Sequence, residues 1–178
     1  MKEVVGIDAG SATVQDAEHL LGRLLEEVLG RTDAMVACTH FVRGERPHVA
    51  LSVTGVDSAA LVSLELGVAS GSERSGPPEL AAGAALAAAA FAAGEGRAVI
   101  YPGVSGLVGT RSASEVLAES AIEEIDVMGG GVASLVHTRD FVRPEYVNGR
   151  LVLLTQPAGG GGVVPFEVPN PTPCCADH

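Results

Sequence analysis

The sequence predicts an α/β or α+β fold: a mixed β-sheet packed by about three helices, with an extended, Pro-rich C-terminal segment. Two observations carry that expectation. Short β-rich apolar runs alternate with amphipathic or Ala-rich segments, and Gly/Pro/Ser clusters punctuate them. The chain also has 178 residues, 47% of them hydrophobic. A domain of that size buries about 70% of its unfolded surface and stands without staples. One domain is therefore expected over residues 1–158, with a Gly/Pro-rich segment over 159–178.

Val4 to Ile7 is a short apolar run ending in Asp8-Ala9-Gly10-Ser11, which reads as a strand and a turn. Ala17, Leu20, Leu21, Leu24, Leu25 and Val28 follow helical spacing, with Glu18, Arg23, Glu26 and Glu27 on the other face and Gly30 as a natural stop. Met35 to Arg43 and His48 to Thr54 read as two strands joined by Gly44-Glu45-Arg46-Pro47; in the second, Val49, Leu51 and Val53 alternate with polar or small residues. Leu61 to Val68 fits either helix or strand, and Ser70 to Pro78 reads as a long loop.

Pro78 to Ala93 predicts a helix, because proline suits a first turn and alanine has the highest helix propensity. Ala98 to Tyr101 reads as a strand, followed by a glycine-spaced loop. A third helix is expected from about Ser112 to Met128, opened by the capping-box spacing of Ser112 and Glu115 and closed at Gly129. Val132 to Thr138 is β-rich. Asn148-Gly149 is a hairpin signal, since a type I′ turn needs positive φ at both central positions. Val163 to Val168 is the last candidate strand, which Pro165 confines to an edge or bulge. Gly159 to Gly162 reads as a flexible joint.

Charge and composition remove several function classes. Eleven Lys+Arg against 22 Asp+Glu give a net charge of −11, without the basic footprint that nucleic acid or an anionic membrane surface requires. Lys2 is the only lysine, which leaves lysine chemistry no place beyond the N-terminus. With Phe 4, Tyr 2 and Trp 0, the core must be built from Ala, Val and Leu, which favours close backbone packing over deep aromatic pockets. The longest uncharged apolar run, Leu80 to Gly94, is shorter than the ~20 residues of a membrane span. The first residues carry Glu3 and Asp8 around a short apolar stretch, unlike a signal peptide, so a cytoplasmic protein is expected. Three cysteines imply no disulfide framework.

Four segments carry candidate chemistry. In the loop ending Gly103, Gly106, Gly109, Thr110, Arg111 and Ser112, glycines can turn backbone N–H groups inward, and the following helix N-terminus adds positive potential. Arg111 would add a bidentate contact to a small anionic ligand. The alternative is a crossover whose Ser112 merely caps a helix. The spacing is neither a dinucleotide fingerprint nor a Walker loop, and the sequence leaves the identity of any cofactor open.

Val5-Gly6-Ile7-Asp8-Ala9-Gly10-Ser11 resembles the first phosphate loop of the actin, Hsp70 and sugar-kinase ATPases. The likeness stops at these residues: in that superfamily the loop turns into a second strand, whereas here Gln15 opens an amphipathic helix. Cys174 and Cys175 with His178 suit a soft metal, and Cys38 and His40, two apart on a strand, face one side and could complete such a site. The alternative is a loose tail with exposed thiols. A vicinal cysteine pair near a C-terminus resembles that of mercuric reductase.

His137 and Arg139 are expected to share a strand face, as general acid/base and anion clamp, or else to form a solvated rim. Finally, the Ala-rich helix predicts either a self-association surface, hence a homo-oligomer, or a helix buried in its own core. Three functions follow from the sequence: a binder of a small anion at the Gly103–Ser112 loop, with Arg111 and His137 as its first enzymatic residues; a thiol/soft-metal protein; or a non-catalytic, self-assembling scaffold.

Overall fold

The computed structural model describes residues 3–62 and 64–169. The chain forms two compact units, Met1–Pro102 with Glu145–Arg150, and Gly103–Pro144 with Leu151–His178. The α/β class and the mixed strand directions expected from the sequence are both present.

The first unit contains β1 (Val4–Ser11), α1 (Val14–Leu24), β2 (Ala37–Val42), β3 (His48–Thr54), β4 (Gly67–Ser70), β5 (Glu73–Ser75), α2 (Pro78–Ala92), β6 (Gly96–Ile100) and, returning late in the chain, β10 (Glu145–Val147). Its strands lie in the order β5-β4-β1-β3-β2-β6-β10, and every pairing is antiparallel.

Strand periodicity divides the two faces. Val5, Ile7, Val49, Leu51 and Val53 form the core with Ala17, Leu21 and Leu24 of α1. Thr13 caps α1, sharing a capping box with Asp16, and the helix continues as a π-helical turn to Gly30, whose φ of 67° ends it.

The opposite face is unusual. There α2 lies almost on the sheet backbone. A Cβ at Gly6 would sit 1.8 Å from the Ala84 carbonyl oxygen, and one at Gly67 would sit 2.1 Å from the Leu80 carbonyl carbon. Ala81, Ala84 and Ala87 fill the contact. The small-residue stripe of the helix therefore packs against its own sheet, where alanine and glycine permit the close approach.

Three sequence expectations are corrected here. Asp8–Ser11 is not a turn: it extends β1, and the register shift between Ile7 and Ser11 absorbs Gly10 at a φ of 68°. Ser70–Pro78 is not a plain loop, because Glu73–Ser75 pairs with β4 as an edge strand. Leu61–Val68 resolves into a short 3₁₀ turn over Ser58–Leu61 and the start of β4.

The second unit holds β7 (Thr110–Ser112), α3 (Ala113–Glu119), β8 (Glu124–Val127), β9 (Leu135–His137), β11 (Arg150–Pro157) and β12 (Val163–Pro165). Strands run β11-β12-β9-β7, with β8 beside β11; β8–β11 and β12–β9 are the parallel pairs. The third helix is shorter than expected and stops at Glu119. Beyond it, Glu124-Ile125-Asp126-Val127 alternates exposed and more buried positions, and parallel pairing with β11 overrides helix propensity. The predicted hairpin turn is present: Asn148 and Gly149 have φ of 52° and 77°.

Candidate functional site

Two hydroxyl–imidazole pairs stand out, and accessibility separates them. On the α2 face of the first unit, β2–β3 register brings Cys38 opposite Ser52 and His40 opposite Ala50. His40 Nε2 and Ser52 Oγ are 2.8 Å apart. Ser52 is 0% exposed, so no substrate reaches it. Burial lowers the His40 pKa to about 4 and keeps the ring neutral. Burial also pushes the Cys38 thiol up to about 12, outweighing its hydrogen bond to Ser52 and the charge of Arg97. A thiol held in its protonated form is a poor metal ligand.

Next to this pair, Asp8 Oδ2 meets His48 Nε2 at 2.7 Å, while Asp8 Oδ1 accepts the Gly10 N–H at 2.7 Å. The segment resembling an ATPase phosphate loop is thus strand, with its carboxylate fully buried and engaged within the chain. Desolvation pulls the His48 pKa down, but the Arg46 carbonyl and the Asp8 carboxylate outweigh it and raise the value. Gly83 of α2 makes room for this ion pair.

The second pair is open to solvent. Antiparallel register between β7 and β9 sets Thr110 opposite His137, Arg111 opposite Val136 and Ser112 opposite Leu135. Thr110 Oγ1 lies 2.9 Å from His137 Nδ1, and His137 Nε2 lies 3.1 Å from the Gly161 carbonyl oxygen. A carbonyl only accepts, so in the neutral ring Nε2 carries the proton and Nδ1 accepts the Thr110 O–H. The arrangement is a hydroxyl, a base and a group orienting that base.

The Gly159–Gly162 joint thereby gains a specific place. A Cβ on Gly162, at φ +77°, would lie 2.8 Å from the Leu135 carbonyl oxygen and 3.0 Å from His137 Nε2.

The turn after His137 is strained. Arg139 and Asp140 both have φ of 54°, a left-handed conformation that costs non-glycine residues roughly 1–2 kcal/mol each. It is held by Thr138, whose N–H and hydroxyl both donate to the Gly109 carbonyl at 2.9 and 2.8 Å, and by Asp140 Oδ1, which accepts the Gly109 N–H at 2.8 Å. Because β9 ends at His137, Arg139 does not share a strand face with it; it projects, exposed, from the strained turn.

The proposed amide cradle is largely engaged within the chain. The Gly106 N–H donates to Gly103, the Gly109 N–H to Asp140 and the Ser112 N–H to Glu115. Thr110 to Ser112 is strand, not loop, so Arg111 points away from Thr110, toward Glu119 at 3.8 Å. Cys174, Cys175 and His178 lie outside the described residues. Among the described residues, no group of three His, Cys, Asp or Glu side chains could hold a metal ion. No helix among them is long and apolar enough to cross a membrane.

Sequence reasoning selected Thr110 as an anion-binding hydroxyl and His137 as an acid/base serving the same loop, but did not pair the two directly. It missed Gly161, Gly162 and the buried Ser52. Comparison of the chain with protein-family models, curated proteins and solved structures found no match.

Proposed function

We propose that this protein binds a small anionic molecule beside β7 and β9 and transfers or hydrolyses an acyl group there. Thr110 would serve as nucleophile, His137 as general base and Arg139 as anion clamp. The observation that carries this reading is the exposed Thr110–His137 pair, with its ring fixed by the Gly161 carbonyl. Thr110 Oγ attacks the substrate carbonyl carbon, forming a C–O bond, and His137 Nδ1 takes the hydroxyl proton. As the bond to the leaving group breaks, His137 returns that proton to it. Water then attacks the acyl-threonine by the same relay, releasing the acid and restoring the hydroxyl.

Strain supports the same location. Two adjacent left-handed residues persist only where surrounding bonds over-determine them, and such positions concentrate at functional sites. The strained turn presents the Arg139 guanidinium, whose fork suits carboxylate or phosphate.

The reading is tested with an activated ester, p-nitrophenyl acetate, and mass spectrometry of the protein. Wild type should carry an acetyl group on Thr110 and turn over. Thr110→Val should carry none, and His137→Gln should acylate roughly a hundredfold or more slowly. Acetylation of the Thr110→Val variant at the wild-type rate would show that the hydroxyl is not the nucleophile.

A further inference from the structure

A cleft of about 300 Å³ opens in the first unit where β6 begins between the ends of β2 and β10. It is independent of the Thr110 site. His40 lies on its wall, 7% exposed. One ring nitrogen, Nε2, is bound to Ser52. No buried side-chain nitrogen or oxygen among the described residues lacks a partner. The other nitrogen, Nδ1, has no protein partner among those residues, so it remains open to the cleft. The ring is otherwise enclosed: a Cβ on Gly96 would stand 2.6 Å from its Cε1. The side chain is therefore a buried, positioned polar group with one free valence directed into a cavity.

Charged side chains of both signs line the cleft. Arg97 is neutralised by Glu18 of α1, at 2.8 Å. That leaves Arg43, just past β2, as the solvated cation of a lining that also holds Glu95 and Glu145, whose carboxylates have no hydrogen-bond partner among the described residues. Phe41, 73% exposed, and Tyr146, set edge-on against Phe91, supply aromatic surface. A metal ion does not suit this set, since no three ligating side chains converge. A single anion would meet two carboxylates, and a simple cation would meet Arg43. A ligand carrying both charges satisfies every group: its ammonium meets the carboxylates and the aromatic faces, its carboxylate meets the guanidinium, and one polar atom meets His40.

We infer that the cleft is a binding site for a small zwitterion of free amino-acid size, held by Glu95 and Glu145 at its ammonium and by Arg43 at its carboxylate, with the open nitrogen of His40 reading a polar atom between them. The volume is of the order such a molecule needs, and the rim charges confer selectivity for both termini being free.

The test follows the His40 ring resonances by NMR in the full chain while L-leucine, L-glutamine, N-acetyl-L-leucine and L-leucinamide are titrated in separately. Saturable shifts of His40 are expected with a free amino acid. The acetylated and amidated forms should bind about tenfold more weakly, as expected for loss of one charge-assisted contact. Glu95→Gln and Arg43→Gln, both exposed substitutions that leave the core intact, should each weaken the free amino acid by a similar factor. Equal binding of N-acetyl-L-leucine and L-leucine would overturn the assignment, as would an unmoved His40 signal with all four compounds at millimolar concentration.

Discussion

At Gly83 a methyl group would stand 1.8 Å from Asp8 Oδ2, and the His48 ring nitrogen lies 3.1 Å away. The ion pair beneath α2 therefore requires glycine. Gly83→Ala should destabilise the protein by about 1–3 kcal/mol, because overpacking forces either the helix off the sheet or the pair apart. Gly22, in α1 with open space around it, is the control: Gly22→Ala should stabilise by about 0.5–1 kcal/mol in urea denaturation. The two hydrogen-bonded histidines, His40 buried and His48 half-buried, give opposite pH signatures. The folded pKa of His48 is raised, so its stabilisation is complete below the unfolded value of 6.5 and is lost as pH rises through the folded value. His40 is depressed to about 4, so its contribution is present above 6.5 and is lost as pH falls toward 4. That loss amounts to something on the order of 3 kcal/mol. Unfolding measured from pH 4 to 8 should show the acid-side loss removed in His40→Gln and the alkaline-side loss removed in His48→Gln. An unchanged profile in both variants would contradict these assignments.

Among the elements, β7, β9 and the glycine turn before β12 together hold the proposed base. Gly160 and Gly162 have similar φ, +84° and +77°, but only Gly162 would contact His137. Alanine at either position incurs roughly 1–2 kcal/mol of left-handed strain. Only Gly162→Ala should also press on the Leu135 carbonyl oxygen and displace the imidazole, so it should be the less stable of the two, and its acylation rate, measured where both variants are fully folded, should fall well below that of Gly160→Ala. Equal rates in the two variants would separate the glycine turn from the chemistry. Local signals made parts of this region legible. Ser112 and Glu115 at capping-box spacing do cap α3, with the Ser112 N–H donating to Glu115 at 2.7 Å. The end of that helix was not legible, because Ile122 and Ile125 fit a helical stripe as well as they fit a strand. Nor was the site itself. Thr110 and His137 are 27 residues apart, and only the β7–β9 register sets them opposite each other.

At the scale of the whole molecule, alternating apolar runs and an Ala-rich helix announced sheet and helices, yet they carried no mark of where Glu145–Arg150 would pair. Its return to the first unit depends on long-range antiparallel pairing of β10 with β6, which local composition does not encode. Charge is the property best read without coordinates. A net charge of −11 means that acidic groups repel one another wherever they lack partners. The charged contacts are unequal: Asp8–His48 and Glu18–Arg97 are close and sheltered, whereas Glu119–Arg111 is long and exposed. Exposed charges are screened over about 8 Å at physiological ionic strength, while sheltered pairs are screened much less. Added salt should therefore relieve more repulsion than it removes attraction. The melting temperature should rise by several degrees between low-salt buffer and about 0.15 M sodium chloride, over which the Debye length shortens severalfold. It should rise less in a variant carrying lysine at several exposed glutamates, such as Glu26→Lys and Glu45→Lys. A melting temperature that falls with salt would show that attractive pairs, and not the excess of carboxylates, dominate the electrostatics of this chain.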